Sequence, residues 1–237
     1  MPPVFVTATG TGLGKTYLTC ALVRALRIAG RPVRALKPVA SGVNPDAPQG
    51  SDTALLLEAL GRPLTAGAMD AVSPWRFRAP LAPSMAARRE GRSLDLSDVV
   101  AFCRTALATA GQDEWVMIEG VGGVMAPVDD QKTVLDWMAA LGPRLVLVSG
   151  GYVGTISHTL TALVALRSRG LDPSAVVVSE SQSRDEPPLT ETLDALARLA
   201  PGIPFSGLPR SDARAAPDHH LAIGRVLDLL EAPRPKR

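Results

Sequence analysis

Aromatic residues are scarce in this chain: four Phe, three Trp and two Tyr make up 4% of 237 residues. A core short of rings must be filled by Val, Leu and Ala, and an apolar content of 46% supplies them. An excess of one charge is also missing. Twenty-five Lys and Arg against 23 Asp and Glu leave a net +2, too near balance for the basic footprint of a nucleic-acid-binding protein. Cysteine is limited to Cys20 and Cys103, far apart and outside any C-x-x-C, which excludes a disulfide framework. Buried thiols in a reducing, cytoplasmic compartment are expected. The three histidines include the pair His219-His220, expected at the surface, and none is spaced with Cys as zinc ligands are. No apolar run approaches the roughly 20 residues of a membrane span. No basic region precedes the first apolar run, as a signal peptide requires. Repeats and low-complexity linkers are lacking too, so a single domain over residues 1–237 is expected, with 232–237 as a flexible basic tail.

What is present is an alternation. Short apolar runs at 3–7, 33–39, 115–119, 145–149, 175–179 and 203–206 read as strands buried on both faces. Helical patterns fall at 16–29, 51–60, 96–110, 132–141, 155–169, 188–200 and 218–231. Gly30 is the stop of the first helix and Ser51 the cap of the second. Strands alternating with helices predict an α/β fold: a mostly parallel β-sheet with helices on both faces. The proline-rich stretches 43–50 and 73–83 read as loops over a site. In such sheets ligands bind at the carboxyl ends of the strands, so chemistry-bearing motifs should fall there.

The first of them does. Residues 8–16 read A-T-G-T-G-L-G-K-T, after the first strand and before the first helix. That is the setting of a phosphate loop, where glycines turn backbone N–H groups toward an anion and the helix N-terminus adds positive potential. Lys15 would reach the β- and γ-phosphates of a nucleotide, and the Thr16 hydroxyl would bind Mg2+. The usual G-x-x-x-x-G-K-[ST] spacing puts glycine at position 9, where this chain has Thr9, and the flexibility comes from Gly10 to Gly14. Glu119 ends the strand W-V-M-I-E and is followed by G-V-G-G, which places a carboxylate in the ligand crevice. Asp52 opens a helix in G-S-D-T-A, a position the helix dipole favours for any acid. One or two carboxylates suffice for Mg2+, which keeps several waters. Lys37, in the run A-L-K-P-V-A-S-G, is costly among apolar residues unless paired or functional. With Ser41 it stands where charge on a transferred phosphoryl group can be neutralised.

These motifs together resemble the dethiobiotin synthetase family. The resemblance runs from F-V-T at 5–7 to G-L-P at 207–209. It is carried by T-G-T-G-L-G-K-T, L-K-P-V-A-S-G at 36–42, S-D at 51–52, E-G-V-G-G at 119–123 and V-G-T-I-S-H at 153–158. P-L-A-P-S at 80–84, with E-G at 90–91, also fits. The resemblance implies a P-loop NTPase fold and an ATP-dependent ring closure. In it 7,8-diaminononanoate takes up CO2 (or bicarbonate) as a carbamate, is phosphorylated by ATP to a carbamic–phosphoric anhydride, and closes to dethiobiotin.

It also implies a homodimer with substrate at the interface, and no nucleic-acid or membrane partner. Lys37 and Lys15 would be catalytic, with Thr11 and Ser41 at the carbamate. Thr16, Asp52 and Glu119 would hold Mg2+. Gly12, Leu13, Gly14, Lys15, Thr16 and Tyr17 would wrap the triphosphate, with Gly120, Val121 and Gly122 beside it. Ser179, Glu180, Pro209, Arg210 and Ser211 would line the base pocket. Gly154, Thr155, Ile156 and Ser157 open a helix whose N–H groups would bind the substrate carboxylate. His158 reads as a packed or hydrogen-bonded, not a catalytic, residue.

The chain departs from the family pattern at Ala8, which narrows the phosphate loop, at Ser157, which shifts the carboxylate grip toward backbone, and at Ser179-Glu180, which leaves the choice between ATP and other triphosphates open. Two other readings stand beside this one: an amide-forming P-loop enzyme of the amidotransferase type, for whose added glutaminase domain no room remains, and a nucleotide-switched partitioning ATPase. The latter carries a signature lysine early in its loop, and no lysine occurs between Met1 and Gly14.

Overall fold

The computed structural model describes residues 3–181, 183, 185–210 and 217–233. Its frame is a six-stranded parallel sheet built from β1 (Val4–Ala8), β2 (Val33–Leu36), β5 (Trp115–Glu119), β6 (Arg144–Gly150), β7 (Pro173–Ser179) and β8 (Phe205–Leu208), in the order β2-β5-β1-β6-β7-β8. A separate two-stranded parallel sheet pairs β3 (Val39–Ser41) with β4 (Trp75–Phe77), Ser41 opposite Phe77.

The helices are α1 (Lys15–Ile28), α2 (Asp52–Ala59), α3 (Ala66–Val72), α4 (Pro83–Arg89), α5 (Leu96–Ala108), α6 (Val134–Leu141), α7 (Thr155–Ser168), α8 (Leu189–Leu199) and α9 (Pro217–Glu231). β1 lies at the centre, flanked by β5 and β6.

The two-residue period of the strands divides the core in two. Phe5 points to one face with Val116 and Ile118, and meets Trp137 of α6 edge-to-face at 5.0 Å. Val4, Val6 and Ala8 point to the other face, against Leu18, Leu22 and Leu26 of α1. Cys20 and Cys103 are buried free thiols in α1 and α5, as expected, and burial pushes both pKa values up to about 12. Among the described residues no helix is long and apolar enough to cross a membrane.

Three expectations are corrected. The run 33–39 is not one strand. Pro38 has no N–H and Lys37 donates its own to the Val72 carbonyl, so the chain leaves β2 at Leu36 and restarts as β3 in the second sheet. The stretch 73–83 is not a bare loop: it holds β4 and runs into α4, and neither α3 nor α4 is visible in the apolar pattern. The last strand begins two residues later than expected, at Phe205.

Candidate active site

The site lies where β1, β2 and β5 end. After Ala8 the chain makes the phosphate loop and enters α1 through Gly14, whose φ of 94° is a left-handed conformation that L side chains rarely adopt. No side chain caps α1, so its first N–H groups are left for an anion. Lys15 is buried, and its Nζ donates to the carbonyls of Gly10 at 3.0 Å and Gly122 at 2.7 Å. Gly122 (φ 62°) belongs to the turn after β5, so Lys15 ties the two loops together. Burial, then the nearby Lys37 ammonium, lowers the Lys15 pKa to about 8, against the pull of Glu119 and Asp52.

Lys37 is only 3% exposed, which rules out an edge lysine reaching solvent. Its ammonium contacts Glu119 Oε1 at 2.6 Å and Asp52 Oδ2 at 3.1 Å, and donates to the Gly120 carbonyl at 3.2 Å. Burial pushes its pKa down, but the two carboxylates outweigh burial and hold it above the ordinary lysine value. Asp52 shows the converse. Burial raises its pKa, while Lys37 and then a hydrogen bond from Thr16 bring it below the usual carboxylate range. The Thr16 hydroxyl also donates to Glu119 Oε1 at 2.7 Å.

Glu119 is fully buried, and its second oxygen, Oε2, meets no hydrogen-bond partner in the protein. An orphaned carboxylate oxygen beside a threonine hydroxyl and an aspartate is an all-oxygen donor set suited to a hard cation such as Mg2+. Among the described residues no group of three His, Cys, Asp or Glu is assembled, as a softer metal would want.

Two clefts meet at the phosphate loop. The first, about 630 Å³, brings together Thr11, Lys15, Thr16, Lys37, Ser41, Asp52, Glu119, Val121 and Gly122, and is walled by Pro80, Leu81, Ala82 and Pro83. The second, about 600 Å³, is lined by Leu13, Tyr17, Tyr152, Ser179, Glu180, Pro209 and Arg210. Gly12, Gly14 and Tyr17 border both. Gly120 lies beneath the first cleft, where a side chain would strike Phe5 at 2.8 Å.

In the second cleft Ser179 and Glu180 are already engaged. Ser179 Oγ donates to the Leu13 carbonyl at 3.0 Å, and Glu180 Oε2 accepts from the Arg210 N–H at 2.7 Å. Ser211 lies outside the described residues. Gly154, Thr155 and Ile156 sit apart, in a third groove of about 520 Å³ between α7 and α8, and Ser157 follows them on α7. His158 is hydrogen-bonded as expected, to the Tyr152 hydroxyl at 2.8 Å. His219 is not at the surface: it is 4% exposed and bonds the Tyr17 hydroxyl at 2.7 Å, while His220 is exposed.

Sequence reasoning missed Tyr152, and it placed 73–83 over a site without assigning a role to Pro80–Pro83. Tyr152 had a usable signal, since G-G-Y-V-G bridges a strand end and a helix start on the ligand side of the sheet. For the wall there was only the P-L-A-P-S motif, with no strand visible before it.

A parallel sheet with a glycine-lined loop entering an uncapped helix, and a strand-terminal carboxylate beside it, defines the class: a P-loop α/β nucleotide-binding domain. A protein-family model described as an AAA domain matches residues 3–207. The fold is shared with the MinD cell division protein of Aquifex aeolicus, at a TM-score of 0.58 with 14% identity over 100% of both chains. It is shared too with a ParA family ATPase of Chlorobium tepidum, at 0.55 with 15% identity over 96% of this chain and 99% of that one. Sequence likeness is far stronger elsewhere. The ATP-dependent dethiobiotin synthetase BioD of Methylobacterium nodulans is 53% identical over 204 residues, 84% of this chain and 90% of that protein. The protein of the same name from Caulobacter sp. K31 is 48% identical over 94% of this chain and 95% of its own. The chain belongs to the ATP-dependent dethiobiotin synthetase family and is an ATP-dependent cyclo-ligase with a role in biotin biosynthesis.

Proposed function

We propose that the chain forms dethiobiotin from 7,8-diaminononanoate, CO2 and ATP. The observation that carries this is the buried Lys37 ammonium, held between Glu119 and Asp52 at the point where the phosphate loop meets the apolar Pro80–Pro83 wall. Such a cleft suits a substrate with a polar reacting end on an aliphatic chain. One amine adds to CO2 and loses a proton, giving a carbamate. A carbamate oxygen attacks the γ-phosphorus and ADP leaves. The second amine then attacks the carbonyl carbon of the mixed anhydride, phosphate departs, and the ring closes with loss of a proton.

The protein's part is placement and positive charge. Lys37 steadies the carbamate and the phosphoryl oxygens, and Lys15 turns from the loop carbonyls to the γ-phosphate. Thr11 and Ser41 hold the carbamate end. Thr16, Asp52 and Glu119 would hold Mg2+, which supplies charge neutralisation at the β- and γ-phosphates. The base sits in the cleft of Tyr17, Tyr152, Ser179, Glu180, Pro209 and Arg210. Gly154 to Ser157 take the substrate carboxylate from a second copy of the chain, which accords with their groove lying apart from the diamine cleft and with Val153, 77% exposed, beside it.

The test is phosphate release with Mg-ATP and bicarbonate, with and without 7,8-diaminononanoate, and product read by mass. Diamine-dependent release with dethiobiotin formed is expected. Release indifferent to the diamine, with no such product, overturns the reading.

A further inference from the structure

β4 is three residues long and pairs with β3 along one edge only. Among the described residues its opposite edge meets no strand, and side chains reach the backbone there and just beyond it. Glu90 Oε1 accepts from the N–H of Arg78 at 2.6 Å and of Ala79 at 3.2 Å. Arg92 Nη1 donates to the Arg76 carbonyl at 2.9 Å, and its guanidinium lies 4.7 Å over the Phe77 ring. Gly91, at φ 64°, makes the reversal between them, and the Arg92 N–H returns to the Ala87 carbonyl at 2.9 Å. Glu90-Gly91-Arg92 therefore clasps the end of β4 and the two residues that follow it.

Beyond β4 the chain forms the wall of the first cleft. Pro80, Leu81, Ala82 and Pro83 line it, and Ser41, the last residue of β3, lines it from the neighbouring strand. The two pieces are tied by the Gly42 N–H to the Ala79 carbonyl at 3.2 Å and the Val43 N–H to the Phe77 carbonyl at 2.9 Å. Gly42 holds a left-handed φ of 75° at this junction, with Pro80 beside it. None of these bonds involves the phosphate loop.

We propose that Glu90, assisted by Arg92, is a positioning residue for the diamine substrate: its carboxylate fixes the β3–β4 unit so that Ser41 and the Pro80–Pro83 wall hold the substrate's reacting end against Lys37. This rests on the proposed reaction. It places diamine recognition under the control of a clasp that ATP binding does not use.

The experiment compares wild type with E90A, E90Q and R92A. It reads KM and kcat for 7,8-diaminononanoate, the Kd of Mg-ATP by calorimetry, and thermal melting. E90A should raise the diamine KM by about tenfold with kcat and the ATP Kd little changed, and E90Q, which still accepts both N–H bonds, should restore it to within about twofold. R92A should shift the same parameter by a smaller factor. Absence of diamine-dependent turnover in the wild type overturns the reaction itself, before any variant is considered. An active wild type with an unchanged KM in E90A overturns the clasp. So does loss of ATP affinity in parallel with KM, or an E90Q no better than E90A. If E90A does not fold, R92A and E90Q decide: a raised KM at constant ATP Kd in R92A, with E90Q near wild type, supports the clasp, and an unshifted R92A overturns it.

Discussion

The two sides of the first cleft are built by different means. The phosphate side stands on β1 and β5, five-residue strands buried along their whole length at the middle of the six-stranded sheet. Its functional groups, from Lys15 and Thr16 to Glu119, leave the ends of those strands with little freedom. The other side, where we propose that the diamine binds, stands on β3 and β4, three residues each, outside that sheet and clasped by Glu90 and Arg92. The first side is buried along the whole length of its strands; on the second, Val39 and Phe77 anchor the unit in the shared core and a few side-chain hydrogen bonds finish its exposed edge. Damage should therefore separate: substitutions on the phosphate side should strike nucleotide binding or stability, and those on the diamine side should strike the diamine KM.

Lys37 joins the two sides, and its loss should do the most harm. K37Q should lower the rate of dethiobiotin formation by at least about 10²-fold, the usual cost of removing a charge-stabilising donor from a transition state. It also leaves the fully buried Glu119 without its closest cation, for which losses of about 3–5 kcal/mol are typical of broken buried pairs. Product formation and a denaturant titration check both figures. Near-normal activity would mean that the two sides need no common cation.

E119A should come next. It removes both the Oε1 that takes bonds from Thr16 and Lys37 and the Oε2 that has no partner in the protein. Nucleotide affinity should fall by roughly tenfold or more in the presence of Mg2+, and by less when the metal is withheld with EDTA. Calorimetry with and without metal reads the difference. An equal loss in both conditions would limit Glu119 to holding Lys37. G122A is a purely steric probe of the same side. Its Cβ would lie 2.6 Å from the Ala126 Cβ at a left-handed φ of 62°. Strain and overpacking of that kind cost about 1–3 kcal/mol, and a denaturant melt should show it.

The same division explains what was legible in the sequence. Buried parallel strands are short apolar runs, so β1, β5, β6 and β7 were readable to within a residue or two, and with them the positions of Lys15, Thr16 and Glu119. The ligand side of the sheet follows from that topology. The β3–β4 unit has no such signature. Three residues are too few for an alternation, and Lys37-Pro38 joins β2 and β3 into one apparent run. W-R-F at 75–77 is a strand because β3 pairs with it, Ser41 opposite Phe77, a contact between residues far apart in the chain. His219 failed for a similar reason. A doubled histidine looks solvated, and only the packing of α9 against α1 puts one of the pair under Tyr17.

The smallest effect should come from a position that serves neither side of the cleft directly. Asp136 Oδ2 accepts from the backbone N–H and the hydroxyl of Thr133, each at 2.9 Å, and so closes the N-terminus of α6. The backbone hydrogen bond from Thr133, foremost, and then its hydroxyl and Arg169 hold the Asp136 pKa below the ordinary aspartate value. A depressed carboxylate pKa contributes stability that is fully present above the unfolded-state pKa, near 4 for aspartate. That stability is lost as pH falls through the folded value, because the unfolded chain takes up the proton first. D136A should therefore cost about 1 kcal/mol at pH 7, and the gap from wild type should narrow in acid, between about pH 5 and pH 2. Because α6 carries Trp137 against Phe5 beneath the phosphate side, the loss should appear in melting while the diamine KM and the ATP Kd stay put. A shift in the diamine KM would show that the core shared by Phe5, Trp137 and Phe77 transmits the change to the wall, and the independence of the two sides would have to be given up.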